Sequence, residues 1–225
     1  MKVSVCGLPR HLSEFLVSKS VARVGANVRK SDLHKLINEF SKLYGSETPI
    51  IVGSQALYAV TDSLPQIARR SIECDFLFAT GKLHLRDEID TRLGIASDFR
   101  VEHGFYADGL GLATVTLPDG WETRLKPLLD ENSVLVALCI DIYDLVSAKL
   151  VAGREKDLDF LKSLLLSDSI DMELILNRVL LVRDKVENDT LAIRLKRLLS
   201  SLSKESSYFR TEIDKLSEFI RTADL

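Results

Sequence analysis

The run Ile50-Ile51-Val52-Gly53-Ser54, answered further on by Ile72-Glu73-Cys74-Asp75-Phe76-Leu77-Phe78, decides how this chain is read. Three apolar β-branched residues stop at a glycine–serine pair, and residues 55–60 follow as a short helix-like segment. The second run is an apolar strand with two acids in it. Strand residues two apart share a face, so Glu73 and Asp75 point to one side and Cys74 to the other. Two carboxylates a few Å apart repel, and burying either one unpaired costs about 2 kcal/mol or more. A divalent cation with oxygen ligands, Mg²⁺ above all, is the usual way to hold such a pair. Gly53-Ser54, after a strand and before a helix, offers backbone N–H groups and a hydroxyl to a phosphate. Together these parts make a candidate metal–nucleotide site. The plainer alternative is an edge strand, with Ile72, Cys74 and Phe76 facing the core and both acids in water. Ser54 has its own plain alternative as a helix cap without a ligand.

Working outward, Leu33, Leu36, Ile37, Phe40 and Leu43 recur at helical spacing, with Ser31 as the expected N-cap and Gly45 as the stop. A helix is expected over residues 86–93, ending at Gly94, and strands over residues 99–105 and 110–117. The second of these is rich in β-formers and closes at Pro118-Asp119-Gly120. Residues 133–140, SVLVALCI, read as a buried strand. From Asp141, a natural cap with Asp144 in the first turn, the texture is helical to the end, with stripes such as Leu158, Leu161, Leu165 and Leu174, Val179, Leu180. Residues 1–30 are the least readable, with a short helix expected at 11–21. The fold class is α+β: a mixed-sheet core over residues 31–140, an N-terminal helical extension over 1–30, and a C-terminal helical region over 141–225.

Composition narrows the classes. With 46% hydrophobic and 28% charged residues, the 225-residue chain has the make-up of an ordinary globular protein. A net charge of −3 gives no broad electrostatic case for nucleic acid or an anionic membrane. Cys6, Cys74 and Cys139 are odd in number and far apart, which argues against a disulfide framework or a structural zinc and for a reducing, cytoplasmic setting. No apolar run is long enough to span a bilayer, and the first residues lack the core of a signal peptide.

Glycine–serine at a strand end, a short helix and then an acid-x-acid strand resemble the signature of the nucleotidyltransferase fold, that of DNA polymerase β and the minimal nucleotidyltransferases. Three further stretches extend the likeness toward the AbiEii-like abortive-infection proteins of bacteria: His103-Gly104-Phe105-Tyr106-Ala107-Asp108-Gly109, residues 117–125 (LPDGWETRL) and residues 144–157 (DLVSAKLVAGREKD). The resemblance spans roughly residues 35–165. It implies a mixed sheet flanked by helices and Mg²⁺-dependent transfer of a nucleoside monophosphate from an NTP to a hydroxyl, with Mn²⁺ as an alternative metal. Protein, RNA and small molecules are all open as acceptors. It implies Glu73 and Asp75 as metal ligands, and Gly53 and Ser54 on the phosphates. Arg69 and Arg70, which follow Pro65 and precede the acidic strand, can pair with the carboxylates or with a phosphate, and read equally as solvated loop arginines. Lys149, Arg154, Lys156 and Asp157 fall in the cleft of such proteins, with Lys149 on the acceptor side. A toxin–antitoxin setting, with a cognate antitoxin as partner, follows from the likeness alone.

The sequence departs from the pattern in two ways. Glu73 stands where the fold normally has aspartate, and no acid falls within the expected strand at 110–117 to act as the third carboxylate. Asp108, in Ala107-Asp108-Gly109, reads most simply as a turn residue, and Glu102 and Glu122 are the other acids nearest in sequence. That gap keeps a second function open, a catalytically degenerate member that binds a nucleotide or a partner protein. The helical tail is a candidate for self-association, and the Glu155–Asp159 charges (residues 155–159) read equally as a solvated helix face. Trp121 with Arg124 is readable as a base-stacking pair or as a core anchor.

Overall fold

Apolar side chains three and four apart make one helical stripe, and α1 (Lys30–Tyr44) buries that stripe through Leu33, Leu36, Ile37 and Phe40. The computed structural model describes residues 28–222 apart from 46, 63–66, 68, 69, 167–169, 188 and 206. The expected helix at 11–21, Pro65 and Arg69 lie outside the described residues. The helix starts one residue before Ser31. Its N-cap is Arg29, whose backbone N–H is taken by the Asp32 carboxylate at 3.0 Å, so a first-turn acid does the work expected of the serine. Gly45 ends it as expected, at φ +65°, with its N–H on the Ser41 carbonyl.

Five strands among the described residues form one mixed sheet: β1 (Ile50–Ile51), β2 (Glu73–Phe78), β3 (Tyr106–Gly111), β4 (Lys126–Leu129) and β5 (Leu135–Cys139), in the order β3-β2-β1-β5-β4. Pairs β1–β2 and β4–β5 are antiparallel, while β2–β3 and β1–β5 are parallel. Phe40 stacks on Phe76 and Phe78, with centroids 5.5 and 6.2 Å apart. Helix α1 therefore covers the face that carries the even-numbered residues of β2, opposite Glu73 and Asp75. Helix α2 (Leu83–Leu93) lies along β3, where Asp90 accepts the Gly109 N–H at 2.9 Å.

Three strand expectations are corrected. Residues 99–105 do not form a strand. Asp98–His103 is a helix, α3, because Ser97 Oγ accepts the Arg100 N–H at 3.1 Å and Gly104 closes it at φ +81°. The cap outweighs the β preference of Phe99 and Val101. The strand expected at 110–117 lies earlier. It runs from Tyr106 to Gly111, and a 3-10 turn at Leu112–Thr114 takes over, held by Thr114 Oγ1 donating to the Gly111 carbonyl at 2.7 Å. Register with β2 sets this strand, and the β-formers Val115 and Thr116 fall outside it. The apolar run at 133–140 contributes β5 but is not buried throughout: Val134 and Leu135 are 56% and 47% exposed. They flank a turn in which Ser133 takes φ +62° and the Asp130 carboxylate accepts the N–H groups of Asn132 and Val134. Strand β4 was not foreseen. Its Pro127 lacks an N–H, which an edge strand tolerates.

After β5 come α4 (Ile142–Ala152), α5 (Glu155–Leu165), α6 (Met172–Leu180), α7 (Thr190–Leu202) and α8 (Tyr208–Thr222). Asp141 caps α4 as expected, accepting the Tyr143 N–H at 3.0 Å. Asp144 is fully buried and chelated by Arg124, whose Nε and Nη2 both reach it at 2.9 Å, with Arg178 of α6 at 3.1 Å. This settles Arg124 as a strut between the loop after β3 and α4, and Trp121 beside it as core. Arg194 of α7 donates to the Leu150 and Val151 carbonyls at the end of α4. Gly153 turns there at φ +61°, and a Cβ on it would stand 2.4 Å from the Arg194 guanidinium carbon. Buried residues from both sides of position 140 share one apolar cluster. No helix among the described residues is long and apolar enough to cross a membrane.

Candidate active site

The register between β2 and β3 builds the site. Parallel pairing sets Glu73 opposite Tyr106 and Asp75 opposite Asp108, and paired residues on neighbouring strands project to the same face. Glu73, Asp75 and Asp108 therefore share one side of the sheet, and all three line a cleft of about 790 Å³. Asp108 is not a turn residue, and the acid missing from the expected strand is supplied by β3 itself. Sequence reasoning passed over it because Tyr-Ala-Asp-Gly-Leu-Gly is poor in β-formers. The signal that could have found it is alternation: Tyr106, Asp108 and Leu110 on one side, Ala107, Gly109 and Gly111 on the other.

Gly53 meets these acids from β1. The Val52 N–H donates to the Asp75 carbonyl at 3.0 Å, carrying the ladder one residue past the strand. The Asp75 carboxylate lies so close to Gly53 that a Cβ there would sit 1.8 Å from Oδ2. Only glycine allows that approach. Ser54 follows as the first residue of a 3-10 helix, Ser54–Ala59, rather than as its cap. Gly53 holds the cap position, and Ser54 Oγ donates to Gln55 Oε1 at 3.0 Å.

Two of the acids, Asp75 and Asp108, are electrostatically under-compensated. Burial first, then the neighbouring Glu73 and Asp108 carboxylates, push Asp75 from the ordinary 3.8 up to about 6, against the pull of Lys149 and Lys156. Asp108 is raised by burial, then by Asp90 and Glu73. Both Glu73 oxygens have partners: Tyr106 O–H donates to Oε2 at 3.1 Å, and Lys156 Nζ lies 3.2 Å from Oε1. Burial and the Glu73 charge push the Tyr106 hydroxyl up to about 12, so it stays a donor. Tyr106 and Asp90 are the other residues here that the sequence did not announce.

The opposite wall is cationic. Lys149 and Arg154 converge on Asp157, at 3.0 and 2.6 Å, and the Asp157 side chain is 1% exposed. Burial alone would raise Asp157, but the Arg154 hydrogen bond and the Lys149 charge outweigh it and hold the carboxyl below its usual range. Lys149 also lies 4.5 Å over the Phe160 ring, so it finds the partner that an apolar helix demanded. Arg70 lines the same cleft from an exposed position, and no described carboxylate is ion-paired with it. The structure thus gathers Gly53, Ser54, Arg70, Glu73, Asp75, Lys149, Arg154, Lys156 and Asp157 around one cavity and adds Asp108 to them.

Whether a divalent cation suits these residues turns on donor chemistry. The set is hard oxygen donors carrying excess negative charge at Asp75, which is what Mg²⁺ takes. Among the described residues no group of three or more His, Cys, Asp or Glu side chains is gathered as a ready-made metal cage. Mg²⁺ at phosphoryl-transfer sites needs none, because one or two carboxylates with substrate phosphates suffice. The residues fit.

A search of the curated proteins and one of the solved structures each returned no match. A protein-family model does match, over residues 31–200, and its description is "Nucleotidyltransferase of unknown function (DUF6036)". It agrees with the nucleotidyltransferase resemblance and with the mixed sheet flanked by helices, but it does not bear on the narrower likeness to AbiEii-like proteins. With most of its length inside that match, and the strand-borne acids and glycine–serine turn within it, the chain belongs to the DUF6036 family of nucleotidyltransferases.

Proposed function

We propose that this protein transfers a nucleoside monophosphate from an NTP to a hydroxyl of a protein, RNA or small-molecule acceptor, in the presence of Mg²⁺ or Mn²⁺. The observation that carries the reading is the Asp75–Asp108 register pair beside Gly53, with Glu73 on the same face and four basic side chains lining the cavity. Glu73 and Asp75 would hold the metal, whose chemistry is to neutralise the charge of the triphosphate. Gly53, Ser54 and Arg70 are assigned to the phosphates, with Arg154 and Lys156, and Asp157 fixes Arg154 and Lys149 in place. Lys149 faces the acceptor side.

Asp108 takes the role of the base. The acceptor O–H gives its proton to the Asp108 carboxylate, its oxygen forms a bond to the α-phosphorus, and the α–β phosphoanhydride bond breaks to release pyrophosphate. Burial, then the Asp90 and Glu73 charges, raise the proton affinity of the Asp108 carboxyl above the ordinary one, which suits a proton acceptor. With a third carboxylate in place, the main support for a degenerate, binding-only protein falls away. The setting in a toxin–antitoxin pair, the cognate antitoxin and self-association through the C-terminal helices rest on the resemblance and on the helical texture alone.

The test is incubation of the full chain with each α-labelled NTP and either Mg²⁺ or Mn²⁺, over protein, RNA and small-molecule acceptors. Label transfer with pyrophosphate release, lost in Asp108→Asn, supports the reading. NTP binding without transfer to any acceptor supports the binding-only alternative.

A further inference from the structure

The basic residues of the cleft are not held alike. Arg154 and Lys149 are fastened to a buried carboxylate, Asp157, which two charge-assisted contacts keep in place. Lys156 is held by Glu73. Its side chain is 62% exposed, it rests on one carboxylate oxygen at 3.2 Å, and its partner is 83 residues away across the cleft. An exposed, single-point ion pair is worth about 1 kcal/mol or less and is readily exchanged. The backbone beneath it is fixed, because the α4–α5 turn at Gly153 is clamped by Arg194 on the Leu150 and Val151 carbonyls. Movement there falls to the Lys156 side chain.

The Glu73 side chain is long enough to reach both Tyr106, through Oε2, and Lys156, through Oε1. Tyr106 can stay when a cation arrives, since a carboxylate has lone pairs for several partners. The ammonium cannot, because two positive charges would compete for the same oxygens. A triphosphate entering the cleft offers Lys156 stronger anionic partners than Glu73 does.

We propose that Lys156 is an exchange residue: it neutralises Glu73 in the nucleotide-free protein and passes to the triphosphate when an NTP enters, so that metal and nucleotide bind cooperatively. This rests on the reading of the cleft as a metal–nucleotide site. The coupling is reciprocal, so nucleotide tightens metal by the factor by which metal tightens nucleotide. The arrangement keeps a bare cation from settling on Glu73 before substrate is present.

The experiment measures free Mn²⁺ by electron paramagnetic resonance during titration of the full chain, with and without each of the four NTPs in a form that cannot transfer at the α-phosphorus. Wild type, Lys156→Met, Lys156→Arg and Glu73→Gln are compared, and thermal melts report whether each is folded. Beyond the Mn²⁺ that nucleotide alone takes up in protein-free solution, wild type is expected to bind Mn²⁺ at least about tenfold more tightly with the matching nucleotide than without, about tenfold being the share of one screened unit charge beside a divalent ion. In Lys156→Met, Mn²⁺ alone binds about tenfold more tightly than in wild type, and the nucleotide enhancement shrinks by about the same factor, leaving only what the phosphates add as ligands. Lys156→Arg keeps the wild-type coupling, and Glu73→Gln weakens Mn²⁺ under both conditions. If Lys156→Met binds Mn²⁺ as wild type does, or retains the full nucleotide enhancement, the exchange is overturned while the metal–nucleotide site stands. If no variant, wild type included, takes up Mn²⁺ with any nucleotide, the site itself is overturned and the exchange with it.

Discussion

Asp75→Asn removes a charge that the fold holds at a cost, so it is expected to make the metal-free protein more stable. Burial and the facing Glu73 and Asp108 carboxylates lift Asp75 from 3.8 to about 6. Because the folded pKa lies above the unfolded one, the folded state binds more protons between these values, and wild-type stability falls as pH rises through that window. At about 1.4 kcal/mol per pH unit, ionising Asp75 costs the fold up to about 3 kcal/mol at pH 8 and about half of that at pH 5. Asparagine has nearly the same shape and no charge, so the variant should escape this penalty. For a chain of this size each kcal/mol moves the melting temperature by roughly 2–4 °C. The variant should therefore melt several degrees above wild type at pH 8, by a margin that shrinks at pH 5, and should not transfer nucleotide. Urea denaturation at the two pH values, in buffer stripped of divalent ions, measures the difference. A variant less stable than wild type at pH 8, or one whose margin is the same at both pH values, would refute the idea that Asp75 is held against its own charge.

Other substitutions separate site from scaffold. Gly53→Ala places a methyl where Asp75 Oδ2 now lies, and should displace the carboxylate, costing about 1–3 kcal/mol by denaturation and most of the transfer activity; near-normal transfer would show that the close approach is incidental. Asp108→Asn should lower the transfer rate by about 10²-fold or more, while nucleotide affinity measured by calorimetry stays within a few-fold; a parallel loss of binding would make Asp108 a ligand rather than a base. Asp144→Ala takes the buried carboxylate from the half-buried Arg124 and Arg178 and should cost about 2–4 kcal/mol in urea denaturation, toward the lower end of what breaking a buried pair costs because both cations reach water; a loss below about 1 kcal/mol would mean that the strut carries little.

Local chemistry made much of this protein legible. The helical spacing from Leu33 to Phe40, Gly45 as a stop and Asp141 as a cap depend on residues within a turn or two of one another, and they stand in the structure as the chain implies. So does the placement of Glu73 and Asp75 on one strand face, since alternation belongs to the strand itself. What needed the tertiary structure was pairing between distant segments. Asp108 became the third acid only because β3 docks parallel to β2 in a register that sets it against Asp75, and the β-formers just beyond it pointed to a different strand. The same holds in part for Asp157, whose carboxyl is held down first by the hydrogen bond from its near neighbour Arg154 and then by Lys149 on the preceding helix, and fully for Lys156, which meets Glu73 from 83 residues away. Propensity and periodicity act over a few residues. Register, burial and charge pairing are set by which surfaces meet in the folded chain, and the chemistry of this cleft lies at those meetings.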